Sequence, residues 1–160
     1  MLQVADDLRA TLDNAVPMLN TITDAEASHP RATGKWSRKE ILGHLIDSAC
    51  NNQQKFVRLM ENPRFDFVGY RQDHWVASQK YNSADWDTLI AFWLFYNLHL
   101  ARVIENTDPG LLGNSITIDG HGSFTLQFVM EDYVEHMKHH LLQILPDGPF
   151  SNKFQNLYNT

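Results

Sequence analysis

Hydrophobic residues recur at steps of three and four along four stretches of the chain, which is the spacing of an amphipathic helix. The predicted helices cover residues 2–22, 37 to about 60, 82 or 83 to about 106, and 123–145. Ser37 and Glu40 form a capping-box pattern at the start of the second helix. Pro63 and Pro146 mark the ends of the second and fourth helices, and Pro17 predicts a kink or a break within the first.

Three connecting segments separate these helices. Residues 23–35 are polar and are predicted to form a loop. Residues 61–84 carry five aromatic side chains, which is too many for a solvated linker. We expect this aromatic loop to form either the wall or lid of a site or a cap over one end of the core. Residues 107–122 contain turn signals around the β-prone run Ser115–Ile118 and predict a small hairpin or extended segment. The tail after Pro146 is expected to dock as a strand-like or irregular segment.

The simplest arrangement of these elements is an all-α protein, a four-helix up-down-up-down bundle formed by one domain over residues 1–160. The third helix is apolar on nearly all of its circumference and therefore needs partners on two sides. We interpret this as the interface of a homodimer. His99 lies among the aromatic residues of this helix and is expected to be buried or interfacial.

Composition and charge indicate which partners and which cellular compartment the protein is expected to have. The chain is 43% hydrophobic and 20% charged, as in soluble globular proteins, and its net charge of −6 argues against a nucleic-acid partner. The longest apolar region, residues 89–104, is interrupted by polar residues and falls short of a membrane span. Cys50 is the only cysteine, and the first residues lack the pattern of a secretory signal. These features predict a cytoplasmic protein.

The last predicted helix carries a pair of histidines with metal-chelating spacing. His136 and His140 are four residues apart, so their imidazoles lie about 40° apart around the helix, one turn above the other. His139 is a competitor, since a step of three also brings side chains together. Two histidines hold a transition metal weakly, and a further ligand is required. The alternative is that these are hydrogen-bonded histidines at the edge of the core.

The histidine of the second helix is not selected by periodicity. The apolar residues of that helix form one arc, and His44 lies on the opposite side with Ser48, Asn51 and Lys55. The helical pattern alone therefore predicts that His44 is a surface residue.

The chain resembles the DinB-like superfamily, and more narrowly the DinB/YfiT branch of metal-dependent hydrolases. The resemblance rests on the stretches GKWS (34–37) and EILGHLID (40–47), and on Tyr133, Glu135-His136, His139-His140 and Gln143-Ile144. It implies a divalent metal ion, nickel or zinc, held by one histidine of the second helix and two of the last. In this sequence those ligands are His44, His136 and His140.

The resemblance implies a hydrolase in which metal-bound water acts on a small-molecule substrate. Transfer of a low-molecular-weight thiol to an electrophile is an alternative suggested by relatives, and a non-enzymatic, stress-associated binding protein is another. Asp132 lies one turn before His136 and is the preferred helper, either orienting that histidine or acting as a base. Asp73 is a weaker candidate, and Asp47 is expected to be a solvated carboxylate on the helix surface.

Overall fold

The computed structural model describes residues 1–155 of the chain. Its four long helices are α1 (Leu2–Leu19), α3 (Arg38–Glu61), α5 (Trp86–Glu105) and α6 (Leu126–Ile144). Two short helices, α2 (Asp24–Ser28) and α4 (Gln72–Gln79), lie in the connections. Strands β1 (Arg64–Phe67), β2 (Ser115–Ile118) and β3 (His121–Thr125) form one small sheet. The predicted helical bundle is confirmed, and the short helices and the sheet are added to it.

The helix ends follow local chemistry. Helix α1 ends two residues after Pro17, earlier than the predicted residue 22. Ser37 and Glu40 form both hydrogen bonds of the predicted capping box at the start of α3. Helix α6 begins later than predicted because residues 123–125 belong to β3, and the Thr125 side chain accepts a hydrogen bond from the Phe128 backbone N–H as the helix cap.

Each of α1 and α3 packs against both α5 and α6. Near its start, α3 contacts the start of α5, where the Lys39 ammonium donates to the Ala84 carbonyl. Further along both helices, the Tyr96 hydroxyl donates to Gln53. Helices α3 and α5 therefore run in the same direction, and the predicted strict alternation of directions is wrong.

The reason for this parallel pair is the long connection between α3 and α5. It leaves the end of α3 as strand β1 and returns along α3 as helix α4, so that α5 starts at the same end of the bundle as α3. Tyr81, just after α4, packs so closely on α3 that only glycine fits at position 43. The aromatic loop predicted from the sequence is thus a structured crossing segment laid over α3.

The small sheet closes the other end of α3. Strand β1 pairs in parallel with β2, and β2 pairs antiparallel with β3. The turn between β2 and β3 is formed by Asp119 and Gly120, whose φ angles of 52° and 74° are the left-handed values that hairpin turns favour. The predicted hairpin around Ser115–Ile118 is present, whereas β1 was not predicted.

Helix α5 is buried on one side only. Trp86, Trp93 and Leu100 lie in the core, but Phe92, Phe95 and Leu98 are 53%, 69% and 40% exposed. His99 is also exposed, and its ring contacts the Gln53 amide at 3.2 Å. Burial of His99 within a single chain was therefore a wrong expectation. Within residues 1–155, none of the helices is both long and apolar enough to span a membrane.

The tail folds back over α6 as an irregular segment up to residue 155. Phe150 packs against the core, and the Lys153 backbone N–H donates to the Glu135 carboxylate. The remainder of the predicted docking tail, residues 156–160, lies outside the described residues.

Candidate metal centre

The packing of α3 against α6 brings three histidines together. His44 Nε2 lies 3.4 Å from His136 Nε2. The His140 ring centroid lies 4.6 Å from that of His44 and 4.5 Å from that of His136. One ring nitrogen from each histidine fits within a set whose members are all within 4.8 Å of one another. These are the residues that the resemblance implied as ligands, and the described part of the chain brings them into one cluster.

His44 is fully buried, so the surface position predicted from periodicity is wrong. The helical wheel treated the polar side of α3 as facing solvent. In the fold, that side is covered by α6 and by the crossing segment with α4. Trp36 adds a further contact, with its ring centroid 5.2 Å from that of His44. No periodicity within α3 reports this second partner, because the covering residues come from elsewhere in the chain.

Burial keeps the three imidazoles neutral. Loss of hydration lowers the pKa of His44 to about 4 and that of His140 to about 3. Burial also lowers the pKa of His136 well below its ordinary value, and the neighbouring histidines act in the same direction. A neutral imidazole is the form that binds a metal ion. At neutral pH the cluster therefore presents three candidate ligands in the protonation state that metal binding requires.

Nε2 of His44 faces Nε2 of His136, and one ring nitrogen of each histidine belongs to the set that a metal ion could join. Nδ1 of His44 is the other nitrogen of its ring, and within residues 1–155 it is buried without a hydrogen bond, as is Nδ1 of His140. A buried polar atom left unsatisfied costs about 1–3 kcal/mol. Three nitrogen ligands with an open position are typical of catalytic zinc sites, and imidazole also suits nickel. The residues present therefore fit a divalent metal ion.

The Ser48 hydroxyl lies beside Nδ1 of His136, whereas Nε2 of the same ring faces His44. The hydroxyl oxygen lies 3.4 Å from His136 Nδ1 and 3.3 Å from the Asn52 amide nitrogen, which donates to it. Sequence reasoning did not assign Ser48 to this site. The available signal was its position one turn after His44 on the same side of α3.

His136 and His140 open onto a cavity of about 410 Å³ between α3 and α6, whereas His44 is not part of its wall. Its wall includes His136, His139, His140, Ser48, Asn52, Lys55, Tyr70, Asp132 and Phe154. Asp132 lines the same cavity as His136 and His140, and its helper role stays a prediction. Burial lowers the pKa of Lys55 to about 8, and the charge of Asp132 opposes this shift. A larger groove of about 510 Å³ lies on the sheet, but its wall carries no histidine.

The other two candidate carboxylates have different environments. Asp47 is 3% exposed and accepts hydrogen bonds from the Tyr81 hydroxyl and the Gln79 amide, both at 2.7 Å. The expectation of a solvated Asp47 was wrong because the crossing segment covers it. Asp73 is exposed on α4, and its charge acts on His44 in the direction that raises the histidine pKa.

The four-helix bundle and the three-histidine cluster place the protein in the class of helical bundles with a candidate metal site. Residues 7–144 match the sequence model of the DinB superfamily, and the chain belongs to that superfamily. It is 25% identical over 146 residues to "Putative metal-dependent hydrolase YfiT" of Bacillus subtilis (strain 168), covering 89% of this chain and 79% of that protein.

The fold is also similar to a solved structure of YfiT from Bacillus subtilis, described as a probable metal-dependent hydrolase with an unusual four-helix bundle topology. The TM-score is 0.77 at 21% sequence identity, over 91% of this chain and 82% of that one. At this identity the similarity establishes the shared fold.

Proposed function

We propose that the protein is a metal-dependent hydrolase that acts on a small molecule, with nickel or zinc bound by His44, His136 and His140. The observation that carries the proposal is the cluster itself, in which three ring nitrogens lie within 4.8 Å of one another, with His44 buried and His136 and His140 half-buried. Two of the three histidines, His136 and His140, line a cavity that gives a substrate access to the site. Membership of the superfamily and the name of the YfiT relative support the same reaction class.

A divalent metal ion held by these three imidazoles would supply Lewis-acid chemistry and would lower the pKa of water. The residues of the chain prepare the site for this chemistry. Ser48 restrains the His136 ring through its contact with Nδ1, and Asp132 supplies a carboxylate in the same cavity. We assign Asp132 the role of orienting group or base, and Tyr70 and Phe154 supply the cavity with aromatic wall.

The test begins with metal content. Protein purified without a metal-affinity tag is expected to contain nickel or zinc, and the His136→Ala variant is expected to lack it. The matched control is His99→Ala, which removes an exposed histidine on α5. Absence of metal from the wild-type protein after growth in metal-supplemented medium would contradict the proposal and leave a non-enzymatic binding protein.

The reaction class is then separated with a cobalt-substituted sample. Hydrolysis of a panel of simple esters and amides, lost on chelation and restored by metal, supports the hydrolase. A low-molecular-weight thiol that changes the cobalt spectrum, together with inertness toward esters and amides, would replace hydrolysis by thiol transfer.

The homodimer and the cytoplasmic location remain predictions. For the dimer, the exposed Phe92, Phe95 and Leu98 follow one another at steps of three on α5 and form the candidate contact face. Sedimentation of the wild-type protein is expected to give a dimer, and Phe95→Asp is expected to give a monomer. A wild-type protein that sediments as a monomer at about 100 μM would overturn this prediction.

A further inference from the structure

A chain of hydrogen bonds runs from Arg31 through Gln143 to His139, the histidine of α6 that is not a candidate metal ligand. The Arg31 guanidinium donates to the Gln143 backbone carbonyl at 2.7 Å and lies 3.2 Å from Gln143 Oε1. The Gln143 Nε2 atom lies 3.2 Å from Nε2 of His139. Arg31 precedes α3 and the other two residues lie on α6, so the contact joins distant parts of the chain.

The chemistry of these groups determines where the proton of His139 is. A guanidinium has only donors, so the amide atom facing Arg31 must be the oxygen. The amide NH₂ then faces His139 and donates, and Nε2 of His139 must accept. A neutral imidazole that accepts at Nε2 carries its proton at Nδ1.

This arrangement also explains why His139 does not compete as a metal ligand. Its Nε2 lone pair is used by Gln143, and its Nδ1 carries the proton. The ring nevertheless lies at the candidate metal centre, with its centroid 5.1 Å from that of His140, and it forms part of the same cavity wall. Phe154 packs on the ring with centroids 5.3 Å apart, which restrains it further.

We propose that the Nδ1–H of His139 is a fixed donor that binds an oxygen of a carboxylate or carbonyl ligand beside the metal centre. Gln143 and Arg31 are positioning residues, since they act by holding His139 in the Nδ1–H form. The proposal rests on the proposed function, because it assigns a ligand class to the same cavity. Such a donor favours ligands that present an acceptor oxygen to the Nδ1–H of His139.

The tautomer is tested directly by ¹⁵N NMR of the histidine side chains in metal-free protein. Wild-type His139 is expected to show the Nδ1–H pattern. Gln143→Met removes the donor, and Arg31→Met frees the amide to rotate, so both variants are expected to show a mixture of tautomers. The matched control is Arg38→Met, because Arg38 also donates to a carbonyl at the end of α6, that of Ile144, without contacting Gln143. An Nε2–H pattern in the wild-type protein would overturn the proposal.

The donor role is tested by titrating acetate into cobalt-substituted protein and following the visible spectrum. His139→Leu is expected to bind cobalt normally and to bind acetate at least about tenfold more weakly, as expected for loss of a hydrogen bond to a charged group. Normal cobalt binding with unchanged acetate affinity would overturn this proposal and leave the proposed function intact. Failure of the wild-type protein to bind cobalt would overturn both.

Discussion

His44 Nε2 lies 3.4 Å from His136 Nε2, although the two residues are 92 positions apart in the chain. A tetrahedral metal with metal–nitrogen distances of about 2.0–2.1 Å holds its ligand nitrogens about 3.4 Å apart. The observed separation therefore matches that of two imidazoles that share a metal ion. Because it depends on the packing of α3 against α6, the site should respond to changes that disturb this packing or the crossing segment over α3.

Gly43→Ala is expected to destabilise the protein by more than about 2 kcal/mol. In an exposed helix the same change would stabilise by about 1 kcal/mol. Here a Cβ at position 43 would overlap the Tyr81 ring near its base, and the ring cannot move without losing the bond from its hydroxyl to Asp47. Urea unfolding measures whether the substitution lowers or raises the free energy of unfolding. A variant as stable as the wild-type protein would contradict the described packing of the crossing segment.

Asp47→Ala is expected to lower the free energy of unfolding by about 2–3 kcal/mol. The change removes the carboxylate that accepts from the Tyr81 hydroxyl and the Gln79 amide at 2.7 Å, and leaves these donors the more distant acceptors Gln79 Oε1 and the Trp75 carbonyl. Thermal or urea unfolding measures the loss. Asp73→Ala is the control, because Asp73 is exposed on α4, and it should change stability by less than about 0.5 kcal/mol. Equal effects of the two substitutions would argue against a buried Asp47.

The two variants concern the part of the fold that the sequence pattern predicted least well. Helical periodicity identified all four long helices because apolar residues recur at steps of three and four along each of them. A helical wheel assigns polar side chains to solvent, so it placed His44 and Asp47 on the surface. In the fold, the polar side of α3 that carries them is covered by α6 and the crossing segment. The spacing of His136 and His140 indicated two candidate ligands and left open that they are hydrogen-bonded histidines at the edge of the core. His44 was identified only through the family resemblance, since its partners are distant in the chain.

The metal-free protein is expected to lose stability as the pH falls from about 6.5. Burial holds the pKa of His44 at about 4 and that of His140 at about 3, against 6.5 in the unfolded chain. The unfolded chain therefore binds protons first, and the free energy of unfolding falls with decreasing pH. Each of these histidines is expected to contribute a loss of about 1.4 kcal/mol at pH 5.5 and none above pH 7.5.

Urea unfolding in the presence of a chelator at pH 7.5 and pH 5.5 measures this dependence. The comparison with His44→Phe isolates one histidine, because the variant has lost one group that titrates in the unfolded chain. The drop in stability between the two pH values should be smaller in the variant. An identical drop in both proteins would mean that His44 titrates normally in the folded state.

The most direct test of the metal centre is the zinc affinity of metal-free protein, measured by competition with a chelating dye. Removal of groups beside metal ligands typically costs 10- to 100-fold in affinity, so His44→Ala, which removes a ligand, is expected to weaken zinc binding by more than about 100-fold. His99→Ala, on the exposed side of α5, should bind zinc as the wild-type protein does. Equal zinc affinity in wild-type protein and His44→Ala would contradict the three-histidine site.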